Sequence, residues 1–234
     1  MTRPLIHRVT TLDLAVEPWT WPFAQTHHAE IAAHFAAAQQ KKPKLWNGRI
    51  LLGRNPSFEG ARFSASYFEI DFASLLAWRD WGFPDRQAFN GFGMGALLCA
   101  DGAFVLGEMG EHTANAGRIY FPAGTPDLED VSGNTLDLAG NVAREIEEET
   151  GLEPSNYRAS PHWDCVVNAA TIAMIRTLHL NLPGEAARAR IESFLARQAH
   201  PELAAVHLVR KRGDLNAKMP LFVTTFLEQQ LGEP

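Results

Sequence analysis

Three glutamates, Glu145, Glu148 and Glu149, stand within the run Arg144-Glu145-Ile146-Glu147-Glu148-Glu149-Thr150-Gly151-Leu152. Their i, i+3, i+4 spacing puts all three carboxylates on one face of a helix. Like charges at that spacing repel and would mildly destabilise an isolated helix. A divalent cation offsets the repulsion, and a hard ion such as Mg²⁺ takes carboxylate oxygens together with water and phosphate oxygens. The pattern therefore predicts a short helix with Glu145, Glu148 and Glu149 as metal ligands, for Mg²⁺ or alternatively Mn²⁺. Gly151 falls where a left-handed residue closes a helix, and Pro154 prevents its resumption. The competing reading of the same run is a solvated acidic surface.

The order arginine, glutamate, aliphatic, any residue, two glutamates, any residue, glycine, aliphatic over 144–152 resembles the second half of the Nudix box. The chain is thus similar to the Nudix hydrolase superfamily. The resemblance implies an α/β (α+β) fold, a Nudix α/β/α sandwich with a smaller N-terminal α+β subdomain. It also implies an enzyme that hydrolyses the pyrophosphate bond of a nucleoside diphosphate linked to another moiety. Glu148, Glu145 and Arg144 would be its catalytic group, with Arg144 the partner that orients a glutamate.

The first half of the box departs from the family, which has a glutamate where this chain has Leu136 and a glycine where it has Asp130. The stretch Phe121-Pro122-Ala123-Gly124-Thr125-Pro126-Asp127 looks like the family's Pro-Gly-Gly turn with Ala123 in place of one glycine, followed by an insertion. Asp137 either takes over from the missing glutamate or caps the helix, since an aspartate there bonds exposed amides. The inserted loop resembles the UDP-glucose pyrophosphatase branch, which implies a UDP-sugar substrate giving UMP and a sugar 1-phosphate. ADP-ribose or another nucleotide sugar, and a non-catalytic nucleotide-binding domain, are the alternatives. The general base is a helix glutamate or a later carboxylate, with Glu202 and Asp214 as candidates.

The rest of the chain must position these groups. Its 234 residues fit one large domain or two small ones. The net charge of −6 and the lack of a dense basic patch argue against nucleic acid or an anionic membrane as partner, and do not exclude the small nucleotide that the resemblance implies. Cys99 and Cys165 read as buried thiols of a reducing compartment, without spacing for a zinc site. The opening residues Met1 to Arg8 lack an apolar core of secretory length, and no apolar run is long enough to span a bilayer, so a cytoplasmic protein is expected. The sequence carries no signal for oligomeric state.

Residues 27–40 read as an alanine-rich helix, whose His27, His28 and His34 are ordinary helix residues. Strands are predicted over 45–53 and 62–70, with Asn55-Pro56 and Glu59-Gly60 in the turn region, and a helix over 72–81. Gly91, Gly93 and Gly95 suggest a glycine-tolerant strand edge, because no phosphate-loop lysine follows. Strands at 103–106 and 118–122 flank a polar loop over 107–117. Beyond the acidic helix come paired strands (164–167, 171–181), a helix (183–197), a strand (206–209) and a closing helix (220–231). The expected division is an N-terminal subdomain over 1–90 and the Nudix domain over 91–234.

Overall fold

The computed structural model describes residues 4–232; the first three residues of the segment read for a leader lie outside that range. The chain opens with β1 (Leu5–Val9) and β2 (Thr11–Val16), followed by helices α1 (Pro22–Thr26) and α2 (His28–Lys41). The hairpin β3 (Arg49–Glu59) and β4 (Arg62–Asp71) leads into α3 (Phe72–Asp80). Strands β5 (Asn90–Leu98), β6 (Phe104–Met109) and β7 (Ile119–Tyr120) precede a small hairpin, β8 (Val131–Ser132) and β9 (Thr135–Leu136). Then come α4 (Leu138–Thr150), β10 (Tyr157–Ala159), β11 (Trp163–Asn168), β12 (Thr171–Leu180), α5 (Gly184–Leu195), β13 (Leu203–Val209) and α6 (Leu221–Gln230). The described residues form a mixed α/β fold with two sheets and six α-helices. No helix among the described residues is long and apolar enough to cross a membrane.

The larger sheet runs β1-β11-β12-β5-β6-β13, with β10 on β12 and β7 on β6; the smaller runs β3-β4-β2-β9-β8. Strands from either side of residue 90 are exchanged. β1 pairs with β11 in the larger sheet, and β9 pairs with β2 in the smaller. One apolar cluster accordingly joins Leu14, Phe63 and Tyr67 to Met94, Ile146 and Ile175, while a second, around Trp21, Phe35, Phe68 and Trp78, fills the space under α1, α2 and α3.

The glycine strand corrects the sequence reading. β5 lies in the middle of the larger sheet, parallel to β12, and not at an edge. Alternation puts Gly91, Gly93 and Gly95 on one face and Phe92 and Met94 on the other. A Cβ on Gly93 would come within 2.5 Å of Val142 Cγ2, and one on Gly95 within 2.7 Å of Ile146 Cδ1. The bare backbone is what lets α4 lie directly on the sheet. The stripe Leu138, Val142, Ile146 fills that contact, each side chain buried and worth about 2 kcal/mol relative to exposure. On the opposite face Phe92 meets Phe222 of α6, ring centroids 5.5 Å apart, so the sheet is covered on both sides.

Other expectations shift by tertiary context. Asn55-Pro56 is no turn: β3 runs through it with a register shift between Arg54 and Ser57, Asn55 taking φ +53°, and the chain reverses at Gly60. The helix expected over 27–40 is α2, with a separate short α1 ahead of it. The strand expected over 118–122 is confined to Ile119–Tyr120. β1, β2 and the β8–β9 hairpin had no counterpart in the sequence reading.

The close approach at Gly93 has a direct test. Gly93→Ala should lower stability by about 1–3 kcal/mol through overpacking. Val142→Ala should cost about 1 kcal/mol or more alone, yet the double variant should lose clearly less than the sum, because Val142 Cγ2 is the atom in the way. Strict additivity in a urea-melt double-mutant cycle would refute the contact.

Candidate functional site

α4 begins and ends as its sequence requires. Asp137 is the N-cap, its Oδ1 accepting from Gly140 N–H at 2.9 Å. Gly151 closes the helix at φ +69°, in the left-handed region. Of the two roles open to Asp137 in the sequence, the structure shows the cap.

The three glutamates do not sit equally on one face. Glu148 projects outward with its side chain 59% exposed, Glu145 is mostly covered, and Glu149 is turned inward at 3% exposure. Neither carboxylate oxygen of Glu149 has a hydrogen-bond partner. Burial pushes this carboxyl well above the usual carboxylate range, and the charges of Glu202 and Glu145 push it further; the amide of Ala123 pulls the other way without reaching hydrogen-bond geometry. Burial likewise raises Glu145, to about 7, against the opposing pull of Arg144.

Arg144 is committed on three sides. Its Nη2 lies 3.1 Å from Asp130 Oδ1, and its Nη1 lies 2.9 Å from Glu145 Oε1 and 3.5 Å from Glu148 Oε2. Burial works against its charge, but the hydrogen bond to Asp130 and the glutamates hold it above its ordinary range, so it stays protonated. Asp130 is the residue that sequence reasoning missed. It is buried, and it also accepts from Asn141 Nδ2 (2.8 Å) and Asp127 N–H (3.1 Å). Read only as a lost glycine, it is the anchor of Arg144. The signal available was an acid upstream of an arginine, across a loop whose folding no spacing rule gives.

Of the two later carboxylates, Glu202 comes to the site. It precedes β13, its carbonyl accepts from Gly110 N–H at 2.7 Å, and its charge acts on Glu145, Glu149 and Tyr120. Asp214 does not: it closes a turn by accepting from the amides of Arg210 and Lys211. His34 pairs with Asp80 at 3.0 Å, away from the acids. Cys99 and Cys165 are buried free thiols.

The loop before the inserted hairpin presses on the acids from outside. A Cβ on Gly124 would overlap the Glu145 carboxylate. Ala123, Gly124 and Tyr120 form one margin of a cleft of about 460 Å³, whose other walls include Phe83, Phe92 and Phe222. Asn90 also lines it, with a buried Oδ1 that has no partner. Chemically, the site offers hard oxygen donors in excess of local positive charge, beside an aromatic-walled cavity with an unused hydrogen-bond acceptor. Among the described residues no three His, Cys, Asp or Glu side chains already form a metal cage; the fit to a hard cation lies in donor chemistry and in the unpartnered oxygens of Glu149.

A scan against sequence-family profiles matches nothing along the chain, and no curated protein matches it. Solved structures overlap it in part. A Nudix hydrolase from M. smegmatis shares 12% identity over 58% of this chain and 80% of its own length, with a TM-score of 0.36. The MutT protein from Methanosarcina mazei Go1 shares 16% over 61% and 92%, TM-score 0.36. A bifunctional NMN adenylyltransferase/ADP ribose pyrophosphatase from Francisella tularensis shares 12% over 68% and 46%, TM-score 0.39.

The two aspartates ahead of the acidic helix should behave differently. Asp130→Ala leaves Arg144 without its buried partner and should cost about 2–3 kcal/mol in chemical denaturation. Asp137→Asn should stay within about 0.5 kcal/mol of the parent, because asparagine caps as well. Equal losses in the two variants would contradict the roles assigned to them.

Proposed function

We propose that the chain is a Nudix-type hydrolase that cleaves the pyrophosphate bond of a nucleoside diphosphate derivative, with a divalent cation, Mg²⁺ or Mn²⁺, held by Glu145, Glu148 and Glu149. The observation that carries this reading is Glu149: a carboxylate buried with both oxygens unpartnered, on one helix with two more glutamates, of which Glu145 lies against the Gly124 loop that lines an aromatic cleft. A buried acid without partners is costly, and a bound cation would repay the cost. When bound, the ion would neutralise the pyrophosphate and lower the pKa of the attacking water.

The chain's own residues prepare that attack. Asp130 fixes Arg144, and Arg144 holds Glu145 and Glu148 by their carboxylates, so the ligand oxygens start close to their working positions. Glu148, the exposed member, has room to turn toward an incoming phosphate. The water oxygen bonds to phosphorus, the bridging P–O bond breaks, and the bridging oxygen leaves with the electron pair on the second phosphate. The water proton passes to a carboxylate, and Glu202 joins the helix glutamates as a candidate because its charge faces theirs. The aromatic walls suit a nucleobase, and Asn90 Oδ1 can accept from a base N–H.

For the linked moiety we favour a sugar on UDP, from the likeness of the inserted loop to the UDP-sugar branch; ADP-ribose is the second reading. In saturating Mg²⁺, Glu148→Gln should lose most turnover while melting normally, and Glu147→Gln, about 100° away on the helix, should be nearly silent. Undiminished turnover in Glu148→Gln would sink the metal assignment.

Mechanism and substrate separate in a further assay. In ¹⁸O-water the label should enter a monophosphate product; label in free sugar would mean attack at carbon. UDP-glucose compared with ADP-ribose and NADH at equal concentration tests the base, and a clear preference for an adenine nucleotide would discard the UDP-sugar reading alone.

A further inference from the structure

The cleft continues into a smaller depression of about 360 Å³ whose charged lining is Lys42, Arg79 and Arg118, with no acidic residue. Arg79, Asn115 and Arg118 belong to both cavities, so the two are contiguous. The three cations arrive from separate elements: Lys42 is the C-cap of α2, Arg79 lies in the last turn of α3, and Arg118 immediately precedes β7. In a chain of net charge −6 such a convergence stands against the background.

Internal partners neutralise it only in part, through Asp80 on Arg79. The Lys42 ammonium donates to the carbonyl of Thr113. Arg79 bonds Asp80 through Nε at 3.2 Å and turns Nη1 toward Asn115 Oδ1 at 3.5 Å. Arg118 bonds Asn115 through its backbone N–H, while its guanidinium has no ion pair or hydrogen bond among the described residues. Asn115 in turn donates from Nδ2 to the Tyr120 hydroxyl at 3.1 Å, which ties the basic depression to the margin of the acidic site. Three cations around one hollow repel unless an anion joins them. Two guanidinium forks and an ammonium match the oxygens of a phosphate better than a single carboxylate.

We propose that Lys42, Arg79 and Arg118 form a subsite for a further phosphate group on the substrate, outside the pyrophosphate at α4, so that the sugar linked to the nucleoside diphosphate, or its ribose, is itself phosphorylated, as it is in neither plain UDP-glucose nor ADP-ribose. The inference rests on reading the neighbouring cleft as the substrate site. It gives the N-terminal helices a part in selecting substrates, since two of the three cations come from them.

The test separates this claim from the hydrolase reading. Inorganic phosphate is titrated into the full-length protein in EDTA, where α4 can only repel it, and followed by calorimetry. Binding should weaken roughly tenfold in Arg118→Ala and in Lys42→Ala, the equivalent of one charge-assisted hydrogen bond. Arg118→Lys should recover part of it. Arg86→Ala, at an exposed arginine off the cleft, should bind as the parent does. Between NADPH, which carries a 2′-phosphate outside its pyrophosphate, and NADH, which lacks it, Arg118→Ala should raise KM about tenfold for NADPH alone, with kcat within about twofold. Equal phosphate binding in Arg118→Ala and parent, or none in folded parent, would overturn the subsite. Binding lost with KM unchanged would overturn its assignment to the substrate. Should no nucleotide be hydrolysed, the hydrolase reading fails while the titration still reads the subsite.

Discussion

The contact of α4 with the bare backbone of β5 governs where everything else in the site can be. A helix normally stands off a sheet by the depth of two side-chain layers. Here Gly93 and Gly95 remove one of those layers, and the stripe Leu138, Val142, Ile146 settles into the space. Glu149, which follows that stripe round the helix, is thereby carried inward with it, and Glu145 is brought against the Gly124 loop. A side chain at Gly124 would strike the Glu145 carboxylate, so the loop obeys the same rule as the strand: backbone approaches the side chains of α4 where a Cβ is missing.

That packing sets an electrostatic problem. Burying a carboxylate without partners costs several kcal/mol unless it is neutralised. Arg144 is not available to Glu149, being occupied by Asp130, Glu145 and Glu148. Nor can neighbouring acids help, since Glu145 and Glu202 add charge of the same sign. What remains is a proton or a metal cation. The sheet contact that gives α4 its stability therefore also creates the demand for positive charge at Glu149, and one residue serves as core neighbour and candidate ligand together.

The sequence made the local features of this arrangement legible and left the long-range ones hidden. The cap at Asp137, the left-handed stop at Gly151 and the helix between them follow from residue types a few positions apart, and they appear where expected. The three glutamates were legible as a set, but their unequal burial depends on which side of α4 meets the sheet. The alternate glycines suggested a strand edge; only the strand order shows that their missing side chains make room for a helix in the middle of the sheet. Asp130 and Arg144 meet across the inserted β8–β9 hairpin, and no periodicity reports such a meeting. β1 and β2 were missed because strands of five and six residues, with no Gly, Pro, Asn or Asp at the break on Thr10, give too little pattern to read.

The exchange of strands across residue 90 explains how two unlike halves can build one cleft. An ordinary interface between domains of this size would permit relative motion. Here β1 is laced into the sheet of the second half and β9 into that of the first, and a single apolar cluster runs through both. Separating the halves would break strand pairings on both sides at once. Arg79 and Phe83 from the first half can therefore be held against Phe92, Arg118 and Tyr120 from the second with the precision usually found only within one core. The acidic chemistry is local to α4, but the shape and charge of the cleft beside it are set by a hydrogen-bonded topology that spans the chain.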